Sequence, residues 1–144
     1  MKLNLSILLF SSSFLLNSCH ILNNNERVVD AGKVYGSAEI GYGELEKEFR
    51  EGNIKSVIDL RTSGSAYEGF ANYFNIRIPS KQLPEEYQLR DLERALEYIE
   101  INDLYPLRIM CSHGADRTSI AAALYLMLIF YLAWAFSVRN RQIS

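Results

Sequence analysis

One cysteine and one arginine lie six positions apart in the last third of the chain, and both are residue types that take part in phosphate transfer. Cys111 could supply a nucleophilic sulfur, and Arg117 a guanidinium that binds phosphate oxygens. The apolar run Leu107 to Met110 predicts a buried strand before them, and the Ala- and Leu-rich run Thr118 to Leu132 predicts a helix after them. The residues between them are expected to form a strand-to-helix loop: Ser112, His113, Gly114, Ala115 and Asp116.

A loop in this position is suited to holding a phosphate dianion. Successive backbone N–H groups can point inward, and the N-terminus of the helix adds partial positive charge. Arg117 would bind two phosphate oxygens at once. The same field favours ionisation of Cys111, because the pKa of a thiol at a helix N-terminus falls well below its ordinary value. We therefore expect residues 112 to 117 to bind phosphate beside the nucleophile.

The motif Cys111-x5-Arg117-Thr118 resembles the signature loop of the cysteine-dependent tyrosine and dual-specificity phosphatases. Segments 34–38, 54–61 and 76–79 are similar to the early strands of small bacterial dual-specificity-like members, so the resemblance covers about residues 33–144. It implies an α/β fold, tyrosine-phosphatase-like, with a central and mostly parallel sheet flanked by helices. The signature loop would join a strand to a helix of that fold.

Two positions depart from the pattern of these relatives. Gly36 stands where they often have arginine, which predicts a less positive rim of the phosphate pocket. Ser119 stands where glycine usually follows the Arg-Thr pair, which bears on packing in the first turn of the helix. Neither departure affects the nucleophile.

The resemblance implies a reaction in two displacements. The Cys111 thiolate would attack phosphorus to form a phosphocysteine while Arg117 and the loop amides hold the other oxygens, and water would then hydrolyse this intermediate. Thr118 is expected to hydrogen-bond the sulfur as it departs. The mechanism needs no metal and no cofactor.

The proton donor for the leaving group is not evident from the sequence. Relatives supply it from an aspartate on a separate loop, but residues 78–86 contain none. Glu85 and Glu86 are candidates from that segment, with Asp91, Asp59 and Asp116 as competitors. Of these five, the predicted donors are Glu85, Asp91 and Asp116. For Asp116 a structural role is also open, since a carboxylate in the first turn of a helix opposes the helix dipole favourably. Likewise, Cys111 could be a small buried apolar residue, and His113 a residue facing solvent.

The N-terminus has the pattern of an export signal. A positive start, an apolar stretch from Leu3 to Leu16 and a small residue before Cys19 predict a signal peptide over residues 1–18. The tetrapeptide ending at Cys19 resembles a bacterial lipobox, which implies lipidation of Cys19, a tether over residues 19–32 and a place in the bacterial cell envelope, periplasmic or on the surface. An uncleaved membrane anchor is the alternative.

Length and charge limit the remaining choices. The chain has 144 residues, enough for one compact domain, which we expect over residues 33–144 and shorter at its C-terminal end than in the relatives. Its formal net charge is −2 and it has no long basic run, so nucleic acid is not an expected partner.

Strand and helix patterns alternate along residues 33–132. The predicted strands are 33–35, 54–60, 73–78 and 107–110, and the predicted helices are 42–50, 84–102 and 118–132. Such alternation favours parallel strands with a site at their carboxyl ends, where Asp59, Arg61 and Ser63 could line the same crevice as Cys111.

Residues 120–136 carry no formal charge and come close to the length of a membrane span. We favour a helix packed under the sheet, because a span that starts at the phosphate loop would place the site at the bilayer surface. Partial exposure of Trp134 and Phe136 is then expected to lower stability or promote self-association.

Three functions follow as hypotheses. The chain could be an exported, lipid-tethered phosphatase of phosphotyrosine, phosphoserine/threonine or a phosphorylated small molecule. It could also be a phosphate-binding module of the same fold without catalysis, or a membrane-embedded interaction protein.

Overall fold

The computed structural model describes residues 25–67 and 69–141 of the chain. The predicted signal peptide, Cys19 and the start of the predicted tether lie outside these residues, as do residues 142–144. The strands are β1 (Arg27–Asp30), β2 (Val34–Ser37), β3 (Ser56–Asp59), β4 (Tyr73–Asn75) and β5 (Leu107–Met110). The helices are α1 (Tyr42–Glu51), α2 (Glu86–Ile101) and α3 (Asp116–Arg141), with a short 3-10 helix at Gly64–Tyr67.

The strands form one sheet in the order β1-β2-β5-β3-β4. The pairs β2–β5, β5–β3 and β3–β4 are parallel, and β1 runs antiparallel to β2 at the edge. The predicted α/β class with a mostly parallel sheet is therefore confirmed. The strand β5, which precedes the phosphate loop, lies at the centre of the sheet, where neighbours on both sides fix its carboxyl end.

The sheet begins earlier in the chain than the sequence predicts. The strand β1 falls inside residues 19–32, which were expected to be a tether. Val28 and Val29 are β-branched and favour extended backbone, and β1 pairs with β2 through Arg27 opposite Gly36. Residues Arg27–Asp30 are thus part of the sheet and not of a tether.

Most other elements match their predicted ranges to within a few residues. The strand β5 has the predicted bounds, and α1 extends one residue beyond its predicted end. The helix α3 begins at Asp116, two residues before the predicted start, so Arg117 belongs to its first turn. It also continues beyond residue 132 to Arg141.

Apolar side chains alternate along β5 and build a core on each face of the sheet. Leu107, Ile109 and Cys111 belong to the larger cluster, which includes residues of α2 and of the first half of α3. Met110 belongs to the second cluster, with Leu45 of α1. Helices therefore flank both faces, as the fold class requires.

The second half of α3 projects large apolar side chains into solvent. Met127 is 68% exposed, Phe130 78% and Trp134 61%. By length and composition, α3 from Asp116 to Arg139 is the one helix in the described part of the chain that could cross a membrane. Its first half is held by the core through Ala121 and Tyr125, which are buried against the sheet.

Candidate active site

Cys111 lies directly after β5 and is the first residue of the loop that leads into α3. Its backbone N–H donates to the carbonyl oxygen of Ser37 at 3.3 Å, which continues the β2–β5 pairing and fixes its position. The side chain is a free thiol, only 2% exposed as a residue, and lines a pocket. Thr118 Oγ1 donates a hydrogen bond of 3.2 Å to Cys111 Sγ.

The surroundings of the sulfur favour its ionised form. Burial alone would raise the pKa of the Cys111 thiol. Hydrogen bonds from the Thr118 hydroxyl and from the backbone N–H groups of His113, Thr118 and Gly114 outweigh burial and lower this pKa below its ordinary value. Donors from the loop and from the first turn of α3 thus converge on one sulfur atom.

Arg117 is buried in the first turn of α3, with its guanidinium fixed in orientation. One terminal nitrogen, Nη1, donates to the carbonyl oxygens of Leu60 at 3.2 Å and Ile78 at 2.9 Å. The other, Nη2, donates to Ser112 Oγ at 3.0 Å. Since these partners belong to the segments that follow β3 and β4 and to the loop itself, the cation is held beside the pocket that Cys111 lines.

Gly114 lets the loop turn tightly against β2. Its φ is +66°, in the left-handed region. A Cβ atom there would lie 2.4 Å from the backbone nitrogen of Ala38 and 2.5 Å from the carbonyl carbon of Ser37. No other residue fits both the torsion and the space, so this glycine allows the loop to close around an anion.

The pocket between the loop and the segment after Ile78 has a volume of about 320 Å³. The phosphate loop forms one wall, and the segment from Ser80 to Leu83 forms the facing wall with one cation, Lys81. From the sequence, this segment was considered only as a source of the proton donor, because its residues carry no motif that marks a wall of the pocket. The lining residues are Ser80, Lys81, Gln82, Leu83, Cys111, His113, Ala115, Asp116, Arg117 and Ile120.

Of the three predicted proton donors, the structure brings Asp116 alone to the pocket. Glu85 occupies the N-cap position of α2, where its backbone N–H donates to Gln88 Oε1 at 2.8 Å, and it does not line the pocket. Asp91 lies on α2, faces Arg94 at 3.6 Å and borders a different, shallow groove. The expectation that either residue is the acid is therefore not supported by its position.

Asp59 and Arg61 lie at the end of β3, but they do not line the crevice, and neither does Ser63. Asp59 is fully buried and accepts hydrogen bonds from Arg61 at 2.7 to 3.2 Å and from the Tyr73 hydroxyl at 2.6 Å. Arg61 also pairs with Glu39. Burial alone would lower the pKa of Arg61, but these carboxylates outweigh it and raise this pKa, so the cation is held within its own network.

The two departures from the relatives' pattern have local explanations. A Cβ atom at Gly36 would lie 2.7 Å from the methyl carbon of Thr118, so the glycine lets β2 approach the residue that donates to the sulfur. The effect of Gly36 on the charge of the rim stays a prediction. Ser119 is exposed, and its N–H donates to Ala115 at 2.9 Å, so the first turn of α3 is intact.

Comparison with known proteins gives a likeness of structure. No family model matches the sequence, and no curated protein matches it. Among solved structures, the crystal structure of Tk-PTP in the active form has a TM-score of 0.57 and 21% identity, covering 74% of this chain and 75% of that one. The G95A mutant form of Tk-PTP has a TM-score of 0.55 and 21% identity, covering 72% and 71%. The chain thus has the α/β fold of the Tk-PTP structures, with Cys111, Arg117 and their loop between its central strand and its longest helix.

Proposed function

We propose that the chain is a cysteine-dependent phosphatase that hydrolyses phosphate monoesters. The observation that carries this proposal is the convergence on Cys111 Sγ of the Thr118 hydroxyl and three backbone N–H groups, beside the fixed guanidinium of Arg117. A thiol with a lowered pKa and a guanidinium on one pocket are what in-line attack on phosphorus requires. The likeness to Tk-PTP supports the fold in which this chemistry is placed.

In the proposed reaction, the sulfur of Cys111 forms a bond to phosphorus as the ester P–O bond breaks. Arg117 and the loop amides bind the three equatorial oxygens and neutralise the charge that develops there. Water then forms the new P–O bond while the S–P bond breaks, which releases inorganic phosphate. The hydrogen bond from Thr118 stabilises the thiolate that leaves in this second step.

Asp116 is our proposed proton donor, since it is the one carboxylate among the described residues that lines the pocket. Its place in the first turn of α3 also motivates the second candidate function. A carboxylate there also has a purely structural role, because it opposes the helix dipole favourably. A site that binds phosphate tightly but turns it over slowly would be a binding module.

The substrates that we propose are phosphotyrosine, phosphoserine/threonine and phosphorylated small molecules.

We further propose that the chain is exported to the bacterial cell envelope and lipidated at Cys19. Six residue steps separate Cys19 from Asn25, which span at most about 20 Å. Because Asn25 hydrogen-bonds to the phosphate loop, lipid on Cys19 would keep the pocket near the membrane and favour substrates there. Lipidation can be tested by expressing the chain in a bacterial host and measuring the mass of its N-terminal peptide. The mass should correspond to a peptide that begins at Cys19 and carries lipid.

The experiment is release of phosphate from an aryl phosphate by the purified protein. Cys111→Ser is expected to reduce turnover to background, and Arg117→Ala to reduce it by about 10²- to 10³-fold, the cost of removing one oxyanion-binding group. Cys19→Ser is the matched control, since it replaces the other cysteine of the chain and should keep turnover. Vanadate binding by unsubstituted protein that releases no phosphate from a panel of phosphotyrosine, phosphoserine and inositol phosphate substrates would favour the binding module.

A further inference from the structure

The outer side of the phosphate loop is held by the N-terminal segment of the domain. Asn25 Nδ2 donates to the carbonyl oxygen of His113 at 2.9 Å. Arg27 Nη2 donates to the carbonyl oxygen of Gly114, and lies 3.5 Å from that of Ala115. These contacts join residues 87 and 88 positions apart in the chain. Three consecutive loop carbonyls that point away from the pocket therefore face donors from one short segment.

The carbonyls are linked to the sulfur through the peptide groups to which they belong. The carbonyl of His113 and the N–H of Gly114 are two ends of the same peptide, and the Gly114 N–H is one of the donors that lower the pKa of Cys111. The carbonyl of Gly114 and the N–H of Ala115, a residue that lines the pocket, form the next peptide. A donor on the carbonyl fixes the plane of a peptide and polarises its N–H.

We propose that Asn25 and Arg27 are positioning residues, which hold two peptides of the phosphate loop with their N–H groups turned inward and so promote both thiolate formation and phosphate binding. The inference deepens the proposed function and rests on it for the catalytic role of Cys111. Asn25 and Arg27 touch neither substrate nor sulfur, and they act through the loop.

The position of Arg27 in the sheet fixes the backbone from which its side chain reaches the loop. It is the first residue of β1, and its backbone lies opposite Gly36 of β2. Gly36 in turn packs against Thr118. The strand β1 thus carries the arginine to the loop from the same side on which β2 supports Thr118.

Geometry, not net charge, is the main contribution of Arg27. As a residue it is exposed, so its long-range field at the thiolate is screened by water and salt. The planar guanidinium, in contrast, places one nitrogen, Nη2, against two adjacent carbonyls. A lysine would keep the charge but carry it on a flexible stem without the rigid plane that fixes the position of Nη2, so Arg27→Lys separates the two effects.

The test uses the full chain and follows alkylation of Cys111 by iodoacetamide as a function of pH, read at the Cys111 peptide by mass spectrometry. We expect Arg27→Ala and Asn25→Ala each to weaken binding of inorganic phosphate by about fivefold, the factor for one hydrogen bond of ordinary strength. The apparent pKa of Cys111 should rise by about 0.7 unit, which is the same factor on a pH scale. In Arg27→Lys the pKa of Cys111 should also rise, by more than half of the rise in Arg27→Ala.

The control is Arg50→Ala, which removes an exposed arginine from the last turn of α1 and should change neither quantity. Circular dichroism and the melting temperature of each variant confirm that it is folded, and Asn25→Ala, at an exposed position, keeps the test open should Arg27→Ala fail to fold. Unchanged phosphate affinity and an unchanged pH profile in folded Asn25→Ala and Arg27→Lys would overturn the inference. If the unsubstituted protein releases no phosphate from any ester but these shifts are present, the proposed function fails and the positioning role stands.

Discussion

Cys111 is almost removed from solvent, and an ionised thiol at such a place depends on every donor that reaches it. Burial has the largest effect on the pKa of Cys111 and raises it. Among the groups that lower this pKa, the hydroxyl of Thr118 has the largest effect. The backbone N–H groups of His113, Thr118 and Gly114 supply the rest. Replacing this hydroxyl by a methyl group can therefore measure how much of the lowering of the Cys111 pKa comes from a side chain and how much from backbone N–H groups.

Thr118→Val removes the hydroxyl and keeps the shape of the side chain. The apparent pKa of Cys111 should rise, because one donor to the thiolate is lost while burial stays. Below that pKa less thiolate is present, so alkylation at neutral pH should slow by about 10- to 100-fold, the cost of one hydrogen bond to a charged group. The measurement is the pH dependence of iodoacetamide alkylation at Cys111.

Thr118→Ser is the matched control, since it keeps the hydroxyl and loses the methyl that packs against Gly36. Its alkylation profile should stay close to that of the unsubstituted protein. If both variants shift the profile equally, packing against β2 rather than the hydrogen bond controls the sulfur.

The residues for which we propose a chemical role and those for which we propose a positioning role differ in how far the sequence predicts them. Cys111, Arg117 and Thr118 have side chains with distinctive chemistry at a distinctive spacing, so the sequence alone brings them together. Asn25 and Arg27 act on backbone carbonyls, which every residue has, across 87 or more positions. Such contacts leave no pattern in residue types, and the sequence analysis assigned both residues to a tether.

At the scale of elements, the central strand β5 carries an ion pair on the face of the sheet that packs against α1, opposite the face whose apolar cluster includes Cys111. Arg108 of β5 donates to the two carboxylate oxygens of Glu48 of α1 at 2.8 and 2.9 Å, with side chains 5% and 19% exposed. Burial raises the pKa of Glu48, and Arg108 opposes this rise. The pair attaches α1 to the strand whose end carries Cys111, so its loss should be felt at the site.

Glu48→Gln should destabilise the fold by up to about 3 kcal/mol, the low end of the range for breaking a buried pair, because the buried Arg108 would keep only the longer contact with Glu26, at 3.5 Å. Denaturation in urea measures the loss. The double variant Glu48→Leu with Arg108→Met should recover most of this stability, since neither charge remains.

Glu86→Gln is the matched control for this prediction. It breaks the exposed pair with Arg90 on α2, at 2.9 Å, and should change stability by less than about 0.5 kcal/mol. Equal losses for Glu48→Gln and Glu86→Gln would show that the contact between α1 and β5 contributes no more than a surface pair.

The order of the elements in the sheet is where sequence analysis of this chain reaches its limit. Periodicity located β5, α1 and α2 because buried positions recur at fixed spacings within each element. The order β1-β2-β5-β3-β4 depends on pairing between distant segments, to which local periodicity is blind. The strand β1 was missed for a related reason, since four residues at a sheet edge show no alternation of buried and exposed positions.

For the molecule as a whole, the unusual feature is that α3 serves the site at one end and exposes apolar surface at the other. Its first half is fixed by Ala121 and Tyr125, so residues 120–136 cannot leave the core as a membrane span without unpacking it. Leu128 and Ile129 still pack against the core, so the part that is free of it, from Phe130 to Arg139, is about 15 Å long at 1.5 Å per residue. This is shorter than the roughly 30 Å of a bilayer interior, so association along the surface of the helix is favoured over crossing.

We therefore expect residues 20–144 to self-associate in the absence of detergent, through the second half of α3. Substituting Met127, Phe130 and Trp134 together by glutamine should give a monomer at concentrations where the unsubstituted protein sediments as larger species. These side chains are exposed and distant in sequence from Cys111, so phosphate binding should be unchanged. The control is Tyr87→Gln with Ile101→Gln on α2, which removes exposed apolar side chains elsewhere and should leave association as it was. A monomer without any substitution would contradict the prediction, because it would mean that the apolar surface of α3 is covered within a single chain.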